Sequence, residues 1–371
     1  MIDSTSTAAT SGVSGTAGPT VNVGIVGVGN CASSLVQGVR FYADAPADPD
    51  TAPAGLTHPV LAGYAVSDIR FTSAFDVDTA KTGLDLSEAI WAEPNNSRAF
   101  AEVPHLGVPV TEGALSDGVG RSSSERVAAR GAATLDDIVR RLRESGTHVL
   151  VNFLPVGSQA ASELYAEAAL RAGCAFLNCI PSTVARSPRW AAAFAEAGLP
   201  LAGDDLKSQF GATLLHRALV DVLARNGVRL RSTYQLLAGG NMDFLNMQDP
   251  ERMATKKATK TQGVYGGSGE RAPAHVGADF VPFLGDRKVA FIRIDGEGFG
   301  GTPLEIDLRM EVDDSPSAAG NVLDAVRSLK AALDRGIGGV VDPVAAAVMK
   351  APPVALDEAE VAAGLRALSD G

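Results

Sequence analysis

A glycine-rich turn near the start of the chain has the residue types and spacing of a dinucleotide-binding site. Gly27 ends an apolar run, and the positions that lead into the following helical pattern are Gly29, Asn30, Cys31 and Ala32. Gly27 allows a tight turn, and Gly29 lets the backbone approach a pyrophosphate at the helix N-terminus. This order of strand, turn and helix predicts a bound dinucleotide. The competing interpretation is a tight packing turn with no ligand.

Two later loops have the composition expected of the same site. Asp76 follows an apolar stretch that predicts a second strand. An acid at that point accepts hydrogen bonds from the adenosine ribose and favours NAD over NADP. A helix N-cap is the alternative role for Asp76. A third predicted strand ends in a loop that contains Pro155, Val156 and Gly157, and such loops face the ligand crevice of a doubly wound sheet.

A polar segment precedes the helical pattern that runs to Arg225. It contains Asp205, Lys207, Ser208 and Gln209. Free N–H groups at the start of a helix attract anions, and Lys207 adds positive charge. The segment therefore predicts an anion site, with a plain N-cap by Asp205 or Ser208 as the equal alternative.

Several lysines in the second half of the chain have the sequence context of a cationic pocket. Lys288 and Lys350 have apolar flanks, and a turn-rich loop at 239–244 leads to Lys256 and Lys260. Converging lysines in an acidic chain would suit a phosphorylated substrate and a developing oxyanion. Solvated surface lysine is the competing interpretation, because most lysines are exposed.

Composition excludes several classes of protein. The net charge of −11 is opposite in sign to the basic stripe that nucleic-acid binding needs. The sequence has no apolar run long enough to span a bilayer and no signal peptide, so we expect no membrane partner. Three cysteines indicate a reducing, cytoplasmic compartment without a disulfide framework. The five histidines match no zinc-ligand spacing, and no metal site is predicted.

Hydrophobic periodicity predicts an α/β fold. Alternating strand and helix patterns over 21–206 indicate a Rossmann-like, doubly wound parallel sheet that binds NAD, after a disordered tail at 1–20. Alternating apolar positions within 207–314 indicate half-buried antiparallel strands, and hence an inserted α+β domain for catalysis and oligomerisation. Residues 315–371 return to helix, which would pack against the first domain.

A series of motifs resembles the bacterial type of myo-inositol-1-phosphate synthase. The motifs occur in the family's order between about Val21 and Pro353, and they include GIVGVGNCASSLVQGV, FLPVGS, GDDLKSQFGAT, GGNMDFLNM, KKATKTQ, DRK and MKAPP. The resemblance implies an NAD-dependent cyclase that acts on a hexose 6-phosphate. Glucose 6-phosphate would be oxidised at C5, enolised at C6, closed by an intramolecular aldol step and reduced again at C5.

The same resemblance implies roles for individual residues. Lys256 would hydrogen-bond the C5 oxygen, Lys260 would lie near the phosphate, and Lys288 and Lys350 would stabilise the enolate and aldolate oxygens. Asp205 and Asp314 would orient the lysines and the sugar hydroxyls, and Asp205 would also contact the cofactor. The remaining implied contacts are Lys207, Ser208, Gln209, Asn241 and Asp243 for the substrate and Ser315 for the cofactor. The resemblance further implies a homotetramer.

Three positions depart from the pattern of close relatives, and we expect them to affect the substrate. Ser182 stands where an apolar residue is usual, Leu237 lies in a segment where an Asn is usual, and Asp313 replaces an aromatic residue. Retained lysines with an altered pocket leave a second substrate open, because losing an amide that binds a sugar hydroxyl changes specificity. Fructose 6-phosphate would give a five-membered cyclitol phosphate by the same chemistry, for a carbocyclic nucleoside or another secondary pathway. The sequence is also compatible with a sugar dehydrogenase of the glucose–fructose oxidoreductase type and with a non-catalytic NAD sensor.

Overall fold

The computed structural model describes residues 19–250, 252 and 272–369, in which strands and helices alternate along the first half of the chain. The strands are β1 (Val21–Val26), β2 (Val60–Leu61), β3 (Tyr64–Ala65), β4 (Ile69–Asp76), β5 (Val110–Glu112), β6 (Val149–Asn152), β7 (Ala175–Asn178), β8 (Pro200–Ala202), β9 (Arg229–Gly239), β10 (Ala274–Phe280), β11 (Arg287–Glu297), β12 (Pro303–Asp313) and β13 (Gly339–Val340). The helices are α1 (Asn30–Phe41), α2 (Leu86–Ala89), α3 (Leu135–Glu144), α4 (Gln159–Ala172), α5 (Pro188–Glu196), α6 (Ala212–Arg225), α7 (Met242–Asn246), α8 (Asp314–Asp334), α9 (Asp342–Val348) and α10 (Glu358–Ala367).

The larger sheet has seven parallel strands in the order β13-β8-β7-β6-β1-β4-β5. Its strands are apolar runs that are buried on both faces. One face is covered by α1, α8 and α9, where Leu35, Val322 and Val344 enter the core. The other face is covered by α3, α4 and α5, where Ile138, Tyr165 and Phe194 are buried. Helices on both faces of a parallel sheet confirm the predicted α/β class.

The second sheet has four strands in the order β10-β9-β11-β12. The alternating residues Leu237, Ile292 and Met310 lie on its inner face, where they pack with α6 and α7. The opposite face carries exposed Tyr234, Leu236 and Phe291. A period of two in hydrophobicity therefore corresponds to one covered and one uncovered face.

The short strands differ from the sequence-based expectations. Neither β5 nor β10 was predicted, and β10 pairs parallel with β9, so the second sheet is mixed and not wholly antiparallel. β13 is an unpredicted edge strand that pairs with β8 in the larger sheet. The segment at 41–65, which is rich in Pro, Ala and Asp, contains the hairpin β2–β3. Residues 1–18 of the tail expected at 1–20, together with Lys256 and Lys260, lie outside the described residues.

Within the described ranges, every helix is either too short or too polar to cross a membrane.

Candidate active site

A cavity of about 480 Å³ lies where the carboxyl ends of the central parallel strands meet the second sheet. Gly27 after β1, Asp76 at the end of β4 and Leu154 after β6 line one part of it. Leu237 on β9 and Lys288 on β11 line another part. Ligands of doubly wound sheets bind outside the carboxyl ends of the strands, so this cavity is the candidate active site.

The glycine turn is shaped by the strands beside it. Gly27 adopts φ +86°, and a Cβ there would lie 2.9 Å from the carbonyl oxygen of Phe153. That close approach excludes any side chain at Gly27. Around Gly29, by contrast, a Cβ would meet no atom of the described residues within 4 Å. The turn is therefore tight on its strand side and leaves room beside Gly29 for a ligand.

Two helix N-termini open onto the cavity without a side-chain cap. α1 begins after Gly29 and α6 after Gly211, and neither glycine can supply a capping side chain. Asn30 and Cys31 of α1 line the cavity, as do Ala212 and Thr213 of α6. In contrast, Thr134 accepts a hydrogen bond from the first turn of α3, which is remote from the site. The uncapped N–H groups give the cavity two places suited to anions.

Asp76 lines the cavity and holds the glycine turn at the same time. Its Oδ2 accepts the N–H of Val28 at 2.7 Å, and its Oδ1 accepts the N–H groups of Val77 and Asp78 at 2.7 and 2.9 Å. Oδ2 keeps capacity for one further donor, because a carboxylate oxygen accepts two hydrogen bonds. The geometry is compatible with the predicted contact to a ribose hydroxyl and adds a structural role to it.

Lys288 is held by the start of α8. Its Nζ forms an ion pair with Asp314, and the two side chains are only 14% and 18% exposed. Both residues line the cavity. The ion pair fixes an ammonium group at the cavity wall, and partial burial strengthens its hydrogen bonds relative to those of a surface lysine.

Asp286 joins three parts of the site. Its carboxylate accepts hydrogen bonds from Asn30 of α1 (3.0 Å), Asn241 at the start of α7 (2.9 Å) and Ser315 Oγ of α8 (2.8 Å). Burial, together with the negative charge of Asp314, raises the pKa of Asp286 to about 6. Burial also raises the pKa of Cys31 to about 12, so that thiol is neutral and unsuited to act as a nucleophile.

Lys350 is held by the segment that follows β8. Its Nζ donates to Asp205 Oδ1 at 3.1 Å and to the Leu206 carbonyl at 2.7 Å. Asp205 has φ +64°, a backbone conformation that is uncommon outside glycine and frequent at functional sites. The strand-like bridge between Leu206 and Met349 brings these two segments together. Lys350 thus presents a second ammonium group to the cavity.

A third group of cations lies near the start of α6. Lys207, Ser208 and Arg217 line the cavity. Burial lowers the pKa of Lys207, and the nearby positive charge of Arg217 lowers it further. Two cations, a hydroxyl and an uncapped helix N-terminus together form an arrangement suited to a phosphate group.

Comparison with known proteins identifies the family. Inositol-3-phosphate synthase of Mycolicibacterium smegmatis is 45% identical over 359 residues, which cover 95% of this chain and 98% of that protein. The chain belongs to the inositol-3-phosphate synthase family. Residues 211–315 match the family myo-inositol-1-phosphate synthase. The crystal structure of Ari2 is similar, with a TM-score of 0.79 and 36% identity, covering 94% of this chain and 98% of Ari2. A myo-inositol-1-phosphate synthase-related protein from Thermotoga maritima has a TM-score of 0.78 and 28% identity over the same shares of the two chains.

Most residues predicted from the family motifs meet at this cavity. The described ones that line it are Gly27, Gly29, Asn30, Cys31, Asp76, Pro155, Val156, Lys207, Ser208, Leu237, Asn241, Asp243, Lys288, Asp314, Ser315 and Lys350. Asp205 lies behind Lys350, with which it is paired. The residues that the family motifs imply for cofactor and for substrate are therefore neighbours at one cavity of the described structure.

Besides Asp205, four predicted contacts are not in the lining. Gln209 donates to the Gly55 carbonyl and to Thr57 at 3.1 Å, which turns its amide toward the loop at 55–57. Buried Ser182 donates to Ser162 at 2.8 Å and belongs to the packing beneath α4. Ala32 is fully buried on the inner side of α1, and the backbone at Gly157 is packed against the side chain of Arg252. Each of these four residues therefore has a packing or hydrogen-bonding role within the fold, and its predicted ligand contact stays a prediction.

The structure also brings in residues that sequence reasoning missed. Thr213, Arg217 and Gln235 line the cavity, and Asp286 accepts hydrogen bonds from three of the segments around it. Thr213 and Arg217 lie one turn apart on α6, a spacing that places both on one helix face. Asp286 lies in the DRK motif, in which only the lysine was predicted to act. Asp313 pairs with Arg98 at 3.2 Å and faces away from the lining, so Leu237 is the one of the three altered positions that lies at the cavity wall.

Proposed function

We propose that this protein is an NAD-dependent cyclase that converts glucose 6-phosphate to an inositol phosphate. The observation that carries the proposal is the convergence of two anchored lysines, Lys288 and Lys350, with a glycine turn at one cavity. A hexose phosphate needs a phosphate site and ammonium groups near its reacting oxygens. The cations around the start of α6 would supply the phosphate site, and the two lysines would supply the ammonium groups near the reacting oxygens.

The residues around the glycine turn fit NAD. Open space beside Gly29 and the uncapped start of α1 would hold the pyrophosphate, and Asp76 would accept a ribose hydroxyl through Oδ2. When bound, NAD supplies the reversible oxidation of the sugar at C5. Ser315 and Asn30 are fixed by Asp286 and would contact the part of the cofactor nearest to the substrate.

The lysines would stabilise negative charge on oxygen while the carbon skeleton closes. Lys288, held by Asp314, would donate to the oxygen that becomes an enolate as C6 loses its proton. Lys350, held by Asp205, would donate to the oxygen that becomes negative as the new C–C bond forms. Such fixed donors contribute most where water is excluded. Lys256 and Lys260 remain predicted participants, which belong to the undescribed part of the chain.

The test is product identification with labelled substrate. Glucose 6-phosphate carrying deuterium at C5 is incubated with the protein and NAD, and the product is identified by NMR. We expect a six-membered cyclitol phosphate that keeps the deuterium, with no net accumulation of NADH. A sugar dehydrogenase would accumulate deuterated NADH and an open-chain ketone, and that result would replace the proposal. No turnover of any hexose phosphate would favour an NAD sensor.

A second candidate substrate is fructose 6-phosphate, and Leu237 is the observation that favours it. Leu237 is 5% exposed and lines the cavity, and it lies in the segment where the family resemblance leads us to expect an Asn. A five-membered cyclitol phosphate is the expected product from this ketose. Leu237→Asn should raise the preference for glucose 6-phosphate over fructose 6-phosphate in kcat/KM by about tenfold. Val222→Asn, at a 48% exposed position of α6 outside the cavity lining, is the control.

We also propose that the protein is a homotetramer in the cytoplasm. Tyr234, Leu236 and Phe291 are 39%, 43% and 47% exposed on the outer face of the second sheet, and another subunit would cover them. The described cysteines, Cys31, Cys174 and Cys179, are free thiols, as in a reducing compartment. Light scattering of the purified protein tests the assembly, and a monomer would contradict it.

A further inference from the structure

A buried polar group connects α6 to the substrate side of the cavity. His216 of α6 is 1% exposed, and it contacts Thr233 and Gln235 on the inner face of β9, which are 4% and 1% exposed. Gln235 also lines the cavity, two residues before Leu237 on the same face of the strand. The Gln235 side chain therefore contacts His216 and also lines the cavity.

Thr233 determines which nitrogen of His216 carries a proton. The Thr233 hydroxyl donates its single hydrogen to the Arg293 carbonyl at 2.6 Å. The same oxygen lies 2.6 Å from His216 Nε2, and it can only accept in that second contact. His216 Nε2 must therefore be the donor and carry hydrogen.

The other nitrogen then fixes the side-chain amide of Gln235. Burial lowers the pKa of His216, so the ring is neutral and Nδ1 carries only a lone pair. Nδ1 lies 3.4 Å from the terminal atom of Gln235 placed as Oε1, which sets two acceptors against each other. The two ends of a primary amide have nearly the same shape, and a half-turn replaces this contact with an N–H···N bond. After the half-turn, the amide oxygen takes the position away from His216, and Gln235 is a residue that lines the cavity.

We propose that Gln235 binds a hydroxyl group of the sugar phosphate through its amide oxygen, and that His216 and Thr233 fix the amide in that orientation. Among the described residues, only His216 hydrogen-bonds the Gln235 side chain, so the end that faces the cavity is available to a ligand. This inference rests on the proposed function for the identity of the substrate. The orientation of the amide does not depend on it.

An acceptor in the cavity wall selects for a donor on the substrate. A hydroxyl or an ammonium group can donate to the amide oxygen, whereas fluorine cannot. Leu237 beside Gln235 offers no hydrogen bond, so Gln235 is the polar contact that this part of β9 provides. A site built to hydrogen-bond a hydroxyl discriminates against an analogue that lacks the hydrogen, because its buried polar group is then left unpaired.

The first experiment measures the orientation without any turnover. The side-chain nitrogens of the 15N-labelled protein are recorded by NMR, and the His216 signals are assigned by their loss in His216→Asn. We expect a neutral ring with hydrogen on Nε2 and an unprotonated, hydrogen-bonded Nδ1. Hydrogen on Nδ1 at neutral pH would overturn the proposal, because the amide oxygen would then face His216.

The second experiment measures discrimination by the cavity. Analogues of glucose 6-phosphate carry fluorine or an amino group at each hydroxyl that does not react. We expect kcat/KM to fall about tenfold for fluorine at one position and much less for the amine. Gln235→Leu should remove this difference and lower kcat/KM for the parent sugar about tenfold. Equal discrimination by Gln235→Leu and the wild type would overturn the proposal.

Two His216 variants separate positioning from general destabilisation. In His216→Asn the amide oxygen replaces Nδ1 as an acceptor, so fluorine discrimination should persist, with kcat/KM within about threefold of the wild type. In His216→Leu the amide is released, and the discrimination should disappear. Persistence in His216→Leu would overturn the role of His216. Tyr234→Phe, on the opposite face of β9, is the control. If wild-type protein turns over no hexose phosphate, the proposed function fails while the NMR result still decides the amide orientation.

Discussion

Replacing Lys288 by Met separates its proposed catalytic role from its structural one. The methionine retains most of the apolar stem and removes the ammonium group. Asp314 then loses its Lys288 partner, while the like charge of Asp286 remains nearby. Breaking a fully buried ion pair costs about 3–5 kcal/mol. The two side chains are 14% and 18% exposed, and water lowers that cost to roughly 1–3 kcal/mol here.

The matched double variant Lys288→Met/Asp314→Asn removes both charges. It should recover most of the lost free energy of unfolding, because no carboxylate is left without the lysine. It should not recover turnover, because the group that stabilises the developing enolate is absent. We expect both variants to lose about 10²–10³ in kcat, the usual effect of removing one preorganised donor to an oxyanion.

Urea denaturation, NAD binding by calorimetry and product formation by NMR measure the three quantities on the same preparations. NAD affinity should stay within about threefold of the wild type in both variants. The reasoning is refuted if the single variant keeps more than a third of wild-type turnover, or if the double variant regains it. In either case Lys288 would act only through the stability of its ion pair.

Three further perturbations test other parts of the site. Gly27→Ala should lower the free energy of unfolding, measured by urea denaturation, by about 2 kcal/mol because of the φ of +86° at this position. Gly29→Ala should keep that stability but weaken NAD binding, measured by calorimetry, about tenfold. The pKa of Asp286 is raised from 3.8 to about 6, so the folded state binds the proton more tightly and the free energy of unfolding should fall by up to about 3 kcal/mol as pH rises through that window. Asp286→Asn should abolish this slope, and an unchanged slope would refute the assignment. Leu236→Glu/Phe291→Glu should dissociate the proposed tetramer in light scattering, and an intact assembly would place the interface elsewhere.

Long elements were predictable because the apolar residues on the buried face of each one are regularly spaced in the sequence. α3, α4 and β7 are examples, since they follow from the local composition and spacing of their apolar residues. Short strands were not predictable in the same way. β13 has two residues, and β10 follows polar sequence with Val276 as its one fully buried apolar residue. Such strands depend on a neighbouring edge that supplies their hydrogen bonds, which a local pattern does not show.

Some features of the candidate site were likewise predictable from the sequence, and others were not. Lys288, Lys350 and the glycine turn were predictable because motifs specify which residues gather. The direction in which a side chain points was not predictable. Gln209 lies within a predicted motif and Ser182 at one of the altered positions, yet both side chains hydrogen-bond to other parts of the protein. Gln235 was missed for the converse reason. A glutamine in an alternating strand carries no sign of the buried histidine that orients it.

The hydrogen bonds of Asp286 predict how the family can vary. Asn30, Asn241 and Ser315 come from three distant stretches of the chain, and each donates to this one carboxylate. Exchanging Asp286 alone would leave several donors without an acceptor. Positions 30, 241, 286 and 315 should therefore covary among relatives. Positions 235 and 237 face the ligand space and are freer to change one at a time. New substrates in this family should arise by substitutions on β9, while the carboxylate at the junction of the three helices is inherited unchanged.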